Sequence, residues 1–321
     1  MSSPHPHHPH RAAILAVPVV AALVLTLFAW PSARLETRDL PIGVAGPPVA
    51  AATIENQLQK QGSAFEVHRY ENEAAARKAI EDRAVYGAFV ASPTGAKVLT
   101  ASAASPAVAQ LLAHAAAESG ASTRDVVEAG PHAPALPSSV LPLVIAGLLT
   151  GVAGAFIASS GLGRAGLVLL GSVLTGLAAT AIVQGWLDVV GGHWAANAGV
   201  LSLTVLAIGS ILVGLYAVLG KAGLVVGALV MVFVGNPFSG VGSAPELLPQ
   251  PVGAIGQLLP PGAGGNLLRS TGFFDGAGGG PHLMVLAAWT LTGVALVLAA
   301  GLRGAAADER PRAAEIARVG S

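Results

Sequence analysis

The sequence has no cysteine and very little charge. Without cysteine, the chain of 321 residues cannot form disulfides, thiolate metal sites or a cysteine nucleophile. Charged residues make up only 11% of the chain, below the share usual in soluble domains, and hydrophobic residues make up 53%. The formal net charge is zero, so no basic surface for nucleic acid is expected. These shortages indicate a protein whose main solvent is lipid.

The few charges are concentrated in one part of the chain. Nine of the 17 Lys and Arg residues lie between Arg34 and Arg124, and eleven of the 17 Asp and Glu residues lie between Glu36 and Glu128. We therefore expect one soluble domain with its tether at 31–137, and an apolar remainder.

Within that segment, short apolar runs alternate with amphipathic stretches, which is typical of an α/β domain. Strands are predicted at PIGVAG, FEVHRY, VYGAFVAS and KVLTAS. Helices are predicted to begin at Pro47, Asn72 and Ser105, which are suited to helix starts. The order βαβαββα allows parallel pairing through right-handed crossovers. The stretch 120–137, with three prolines, is predicted to be a tether back to the membrane.

Six apolar segments have the composition of membrane helices. The first, 12–30, has 19 residues without charge, or about 28 Å as a helix. A cleaved signal peptide is its rival interpretation, but PSARLE after Trp30 fits a cleavage site poorly, which favours an uncleaved anchor. The other segments are 138–159, 165–186, 195–218, 222–236 and 281–302. The predicted fold class is an α-helical membrane protein of six transmembrane helices, with a small extracytoplasmic α/β domain between helices 1 and 2.

The basic residues of the short loops predict the orientation. Arg11, Arg164, Lys221 and the arginines after 302 all fall on one side of the six segments, and basic loops favour the cytoplasm. We therefore expect a multi-pass protein of the cell membrane with both termini cytoplasmic. Residues 1–11 are predicted to be a disordered cytoplasmic tail, and 303–321 a second cytoplasmic tail.

No motif for catalysis or cofactor binding stands out. GLYAVLGKA around Lys221 resembles a phosphate-binding loop, but its glycine spacing is wrong and Ala222 replaces the required Ser or Thr. The histidines at 5, 7, 8 and 10 could bind a metal, but nothing completes a site, and a solvated tail is favoured. We expect no enzyme activity, cofactor or metal. The segments also lack the ionisable residues of an ion-coupled carrier; Gln184, Asn197 and Asn236 are better explained by interhelical hydrogen bonds.

Two glycine pairs with four-residue spacing are candidates for close helix packing. They are Gly147 with Gly151 and Gly223 with Gly227. Because the chain has 41 glycines, such spacing also arises by chance. A homodimer built on these faces is left open.

The long loop 237–280 is the most distinctive region. It is broken by prolines yet is too apolar for a freely solvated loop, so we expect it to fold onto the outer membrane face as short interfacial helices. A structural lid and a role in substrate passage are both open. The candidate gate residues are Asn236, Pro237, Phe238, Pro249, Pro260 and Pro261.

The layout of one span, an outer α/β domain and five more spans resembles the type-2 ABC transporter permease family, in its phage-infection-protein-like branch. The strings EAAARKAIEDRAVYGAFV, VLTASAAS, NPFSG and LLPPGA carry the resemblance, which covers about 12–302.

The resemblance implies a permease subunit that dimerises in the lipid bilayer. A separate ATPase would drive it to export a lipid, glycoconjugate, peptide or drug. The chain differs from the family pattern in having a His/Pro tail before span 1 and only SGLGRAG between spans 2 and 3. These differences favour an alternative, a non-transporting cell-envelope scaffold or receptor whose outer domain binds a partner.

Overall fold

The computed structural model describes the backbone of residues 9–92, 95–158 and 160–319, and the side chains of 17–92, 95–158 and 160–302. The first part of this chain contains one helix and then a small α/β region. Its elements are α1 (Pro9–Ala33), β1 (Leu40–Ala45), α2 (Pro48–Gln59), β2 (Phe65–Tyr70), α3 (Glu73–Glu81), β3 (Gly87–Ser92), β4 (Gly95–Thr100), α4 (Pro106–Ser119) and β5 (Ser122–Asp125).

The second part is helical. Its elements are α5 (Leu136–Ile157), α6 (Gly161–Thr180), α7 (Trp194–Leu219), α8 (Lys221–Val230), α9 (Val252–Gln257), α10 (Pro260–Phe273) and α11 (Gly280–Val319). Short π-helical segments, Ala181–Trp186 and Met231–Gly235, extend α6 and α8. We call residues 236–279, between this second π segment and α11, the connecting segment.

The five strands form one sheet in the order β2-β1-β3-β4-β5. The predicted strands and helices are confirmed, with Asn72 and Ser105 capping α3 and α4 through backbone N–H groups at 2.9 and 3.2 Å. The parallel pairing is confirmed for β1 with β2 and with β3. By contrast, β3 and β4 are antiparallel because too few residues separate them for a crossover.

Strand β5 corrects the predicted tether. Its four residues pair in parallel with β4, inside the stretch 120–137 that was predicted to be an irregular connection. The sequence STRD has no apolar alternation because β5 is a mostly exposed edge strand. Backbone hydrogen bonds to β4, rather than side-chain burial, define it.

The two faces of the sheet bury different partners. One face, with Leu40, Ile42 and Val44, packs under α2 and α4. The other face packs under α3 and also against Phe274 of the connecting segment. The α/β region and the connecting segment therefore share one core.

Among the residues that the structure describes, four helices are long and apolar enough to cross a membrane. They are Ala133–Ile157, Gly161–Trp186, Trp194–Leu219 and Gly280–Leu302, while Val17–Ala33 and Lys221–Gly235 are shorter apolar helices. Large apolar side chains on their outward faces are exposed, such as Leu170 and Leu291, which suits contact with lipid. These features indicate a mostly helical membrane protein. Helices occupy all six predicted positions, but that all six cross the membrane stays a prediction.

Both predicted tails contain helical backbone. Helix α1 begins at Pro9, inside the predicted tail 1–11, and residues 1–8 lie outside the described part of the chain. Helix α11 continues through Val319, across nearly all of the predicted tail 303–321. That residues 1–11 and 303–321 are cytoplasmic tails stays a prediction.

Helix α7 is the centre of the helical part. It packs against α5, α6, α8, α10 and α11, and most of its length is buried. Glycines of its partners make this packing close: a Cβ at Gly293 of α11 would lie 2.3 Å from the backbone of Ser210. Small residues at such contacts are how membrane helices gain packing without a hydrophobic driving force.

Helix α10 corrects the prediction of interfacial helices on the outer face. Nearly every residue from Pro260 to Gly272 is buried against α5, α7 and α11. Its first half, PPGAGGN, has side chains small enough for this close approach: a Cβ at Gly264 would lie 2.5 Å from the Thr204 side chain. The helix therefore belongs to the protein interior and not to a surface layer.

Candidate functional site

Helix α10 contributes to the walls of two cavities of opposite character. Residues including Pro261, Gly264 and Leu268 line an apolar cavity among the helices, and Asn266 lines a polar cavity next to the α/β region. These two cavities are the candidate functional site.

The apolar cavity has a volume of about 360 Å³ and is bounded by α5, α6, α7 and α10. Its α6 wall includes Thr175 and Ala179, and it reaches Ile182 and Val183 of the π segment. Thr204 of α7 also lines it, but the Thr204 hydroxyl donates to the carbonyl of Val200 at 2.8 Å within its own helix. Ser138, Ser139 and Thr175 also line the cavity, whose surface is otherwise mainly hydrocarbon.

A hydrogen-bond network lies beside this cavity and ties α6, α7 and α10 together. The side-chain amide of Asn197 donates to Gln184 Oε1 at 2.9 Å and to the carbonyl of Gly191 at 2.7 Å. The hydroxyl of Thr271 donates to Asn197 Oδ1 at 2.7 Å. The interhelical role predicted for Gln184 and Asn197 is confirmed.

The polar cavity has a volume of about 210 Å³ and lies where α3, the connecting segment and the start of α11 meet. Arg83 follows α3 with a positive φ of 59°, and its guanidinium donates to the carbonyl of Asn266 at 3.0 Å. The same guanidinium lies 5.4 Å from the centre of the Phe274 ring. Tyr86 donates its hydroxyl to Glu246 Oε2 at 2.8 Å. The α/β region is thus bonded to the rest of the chain by the guanidinium of Arg83 and the phenol of Tyr86.

A second arginine lies close behind this cavity. Arg269 of α10 is almost completely buried and donates to the carbonyl of Val241 at 2.8 Å. Its Nε has no hydrogen-bond partner among the described residues. Burial, reinforced by the nearby charge of Arg83, lowers the pKa of Arg269 to about 10. Burial also lowers the pKa of Arg83. Both guanidinium groups nevertheless remain charged at neutral pH.

Tyr86 keeps its proton over the ordinary pH range. Burial, followed by the nearby Glu246 carboxylate, raises the pKa of Tyr86. The phenol therefore acts as a hydrogen-bond donor to Glu246. The same side chains that line the cavity also hold the α/β region on the connecting segment.

A third cavity, which we call the sheet groove, lies in the α/β region itself. It has a volume of about 600 Å³ and runs between α2 and α4 over the sheet. Its lining is mixed, with apolar Phe65 and Leu111 beside polar Gln57 and His114. The size and the mixed lining are suitable for a small ligand or a peptide side chain.

The predicted gate residues are distributed over several places. Asn236 and Pro237 line another cavity, of about 280 Å³, together with Phe28 of α1. Pro261 lines the apolar cavity. Pro249 and Pro260 are buried and Phe238 is half-buried. The structure thus brings only Pro261 to the apolar cavity.

The predicted packing glycines all face α7. A Cβ at Gly147 or Gly151 would come within 2.8 Å of Ile208 or Leu212 side chains. A Cβ at Gly223 would lie 2.2 Å from the carbonyl oxygen of Leu215, and one at Gly227 would lie 3.2 Å from Leu212. Both pairs therefore pack within the chain.

Sequence reasoning did not single out the residues of the polar cavity. Glu246, Arg269 and Asp275 are the only charged residues of the connecting segment, and that isolation in an apolar context was the available signal. Arg83 gave no signal because it directly follows an ordinary charged helix. The histidines at 5, 7, 8 and 10 lie outside the side chains that the structure describes.

Comparisons with protein-family models, with curated proteins and with solved structures found no match to this chain.

Proposed function

We propose that the chain is a permease subunit of the cell membrane that moves an amphipathic substrate outward together with a separate ATPase. The apolar cavity among α5, α6, α7 and α10 is the observation that carries this proposal. A hydrocarbon-lined space between membrane helices suits the acyl or other apolar part of a substrate, because such a group gains little from water. Among the lipid, glycoconjugate, peptide and drug classes, this favours a lipid or a lipid-linked molecule.

The proposed topology has six spans with both termini cytoplasmic, α1 and α8 completing the four longer helices. Arg164 at the start of α6 and Lys221 at the start of α8 would then face the cytoplasm. The α/β region would be extracytoplasmic, above the connecting segment. The ATPase would meet only short turns and the end of α11, and a homodimer would enlarge that surface.

The test of this function is to fill the cavity without disturbing the fold. Ala179→Phe places a ring in the apolar cavity, while Leu170→Phe, on the outward face of the same helix, is the matched control. Cells lacking the gene should lose outer-leaflet lipid or lipid-linked product, measured by surface labelling and mass spectrometry. The unmodified chain and Leu170→Phe should restore it, and Ala179→Phe should not. Full restoration by a folded Ala179→Phe variant, or no loss on deletion, would reject the proposal.

The second candidate function is a scaffold or receptor whose outer region binds a partner. The sheet groove favours it, because its size and mixed lining suit a ligand that the helices play no part in moving. Ala115→Phe would obstruct this groove from α4. If Ala115→Phe abolishes the cellular phenotype and Ala179→Phe leaves it intact, the receptor function is the correct one. The reverse pattern would support the permease.

A further inference from the structure

The polar cavity is lined by a half-buried cation, Arg83, that forms no ion pair with any residue the structure describes. Arg83 uses one guanidinium nitrogen for the carbonyl of Asn266, and no other hydrogen bond from its guanidinium is found among the described residues. In the same part of the chain, neither Arg83 nor Arg269 forms an ion pair with a carboxylate. Glu246 favours the charge of Arg83 from a distance, and a partly desolvated guanidinium with spare donors and no close ion pair is suited to binding an anion.

The charge around the cavity is positive. Among the described residues, the lining holds one guanidinium, Arg83, and one carboxylate, Glu246, which already accepts the Tyr86 hydroxyl, and a second guanidinium, Arg269, lies close behind the wall. The amide of Asn266 holds the two cations together, because its backbone carbonyl accepts from Arg83 and its Oδ1 lies 3.5 Å from Arg269. A negatively charged ligand in the cavity would offset the excess.

Donors are available where such a ligand would lie. Besides the remaining nitrogens of Arg83, the imidazole of His282 lines the cavity and makes no hydrogen bond to any residue that the structure describes. Asn266 and Gln257 are fixed by their mutual hydrogen bond of 2.7 Å, so they shape the wall rather than compete for the cation. A planar guanidinium fork matches the oxygens of phosphate and carboxylate groups.

We propose that the polar cavity is a binding site for a phosphate-type oxyanion, held by Arg83 and His282 within the positive field of Arg269. The volume of about 210 Å³ accommodates one such group. This site goes beyond the proposed transport function, since a scaffold with the same cavity would bind the same anion. The phosphate is either free or part of a lipid headgroup, and the two sources share this chemistry.

The full-length chain in nanodiscs of neutral phosphatidylcholine is titrated with inorganic phosphate and, separately, with short-chain phosphatidic acid, using isothermal titration calorimetry. Saturable binding of inorganic phosphate identifies a free-anion site, and binding of the lipid alone identifies a headgroup site. Arg83→Gln should weaken binding by about tenfold to a hundredfold, the usual range for a charge-assisted contact. Arg124→Gln removes an exposed arginine of β5 and should change nothing.

A variant that acts in the opposite direction separates binding from folding. Glu246→Gln keeps an acceptor for Tyr86 but removes the single carboxylate that lines the cavity. It should tighten anion binding about threefold or more, because a like charge is gone. If neither titrant binds, the cavity holds only water and the proposal is wrong. Equal affinity of folded Arg83→Gln and the unmodified chain would also overturn it.

Discussion

Helix α10 borders both the apolar and the polar cavity, but the polar groups next to the two cavities differ in how fully they are hydrogen-bonded. Beside the apolar cavity, Asn197 is fully buried and uses both its amide and its carbonyl in hydrogen bonds. Around the polar cavity, Arg269 Nε is buried and has no hydrogen-bond partner in the part of the chain that the structure describes, and Arg83 has nitrogens that make no hydrogen bond there. The first arrangement is what structural stability requires, and the second is not. Of the buried side-chain atoms that lack a partner in the described part of the chain, Ser172 Oγ lies in α6 and Arg269 Nε lies beside the polar cavity, where spare cationic donors suit an anionic ligand.

The largest expected loss of stability comes from a substitution in α10, the helix that borders both cavities. Gly264→Val adds atoms where a Cβ alone would lie 2.5 Å from the Thr204 side chain, so α10 must move away from α7. Overpacking of this kind should lower the free energy of unfolding by about 3 kcal/mol. The measurement is denaturant titration in mixed micelles, followed by tryptophan fluorescence.

Gly199→Ala is the matched control for this change. It lies in α7, has no atom within 4 Å of a built Cβ, and should gain about 0.5–1 kcal/mol of helix stability. If Gly264→Val were as stable as the unmodified chain, α10 could move away from α7 without loss of free energy, and the packing between the two helices would not be rigid.

A smaller loss of stability is expected from the hydrogen-bonded network beside the apolar cavity. Asn197→Ala removes three hydrogen bonds: one to Gln184 in the π segment after α6, one to Thr271 of α10, and one to the Gly191 carbonyl in the loop before α7. At about 0.6 kcal/mol for each membrane hydrogen bond, the loss should be about 2 kcal/mol in the same titration. Thr204→Val is the control, because its hydroxyl bonds only to the Val200 carbonyl of its own helix. A loss as large for Thr204→Val would show that burial, rather than the network, supports this side.

The contrast also explains which features the sequence could predict. FEVHRY alternates and is β2, and Asn72 and Ser105 cap helices through contacts only three residues away, so local pattern was sufficient. The prediction for α10 was wrong because the burial of this helix depends on contacts with α7, which lies elsewhere in the chain. In addition, a sequence rich in proline and glycine resembles a loop. The small size of those residues was the signal for close approach.

The polar cavity was beyond local pattern for a similar reason. Arg83 and Asn266 are separated by 183 positions and meet only because the α/β region packs on the connecting segment. Tyr86 and Glu246 are 160 positions apart. The local sequence around Arg83 or Tyr86 contains no pattern that predicts contact with Asn266 or Glu246. Only the connecting-segment side of the site could be recognised from the sequence, because Glu246 and Arg269 are isolated charges in an apolar stretch.

The smallest expected effect concerns the hydrogen bond that closes the polar cavity. Tyr86→Phe removes the donor to Glu246 and should cost about 1 kcal/mol at neutral pH, because Glu246 is only half-buried and water can replace the phenol. Tyr70→Phe is the control, since the Tyr70 hydroxyl makes no hydrogen bond to a described residue.

The pH dependence of Tyr86→Phe sharpens the same comparison. The pKa of Tyr86 is raised in the folded chain, chiefly by burial, from an ordinary value of 10.0. Above about pH 10 the unfolded chain therefore loses a proton that the folded chain keeps, so stability falls as the pH rises. The phenylalanine variant lacks this penalty, and its deficit relative to the unmodified chain should shrink between about pH 9 and 11. A deficit that stays constant through that range would mean that Tyr86 is open to water, and the polar cavity would then be too exposed to leave Arg83 in need of an anion.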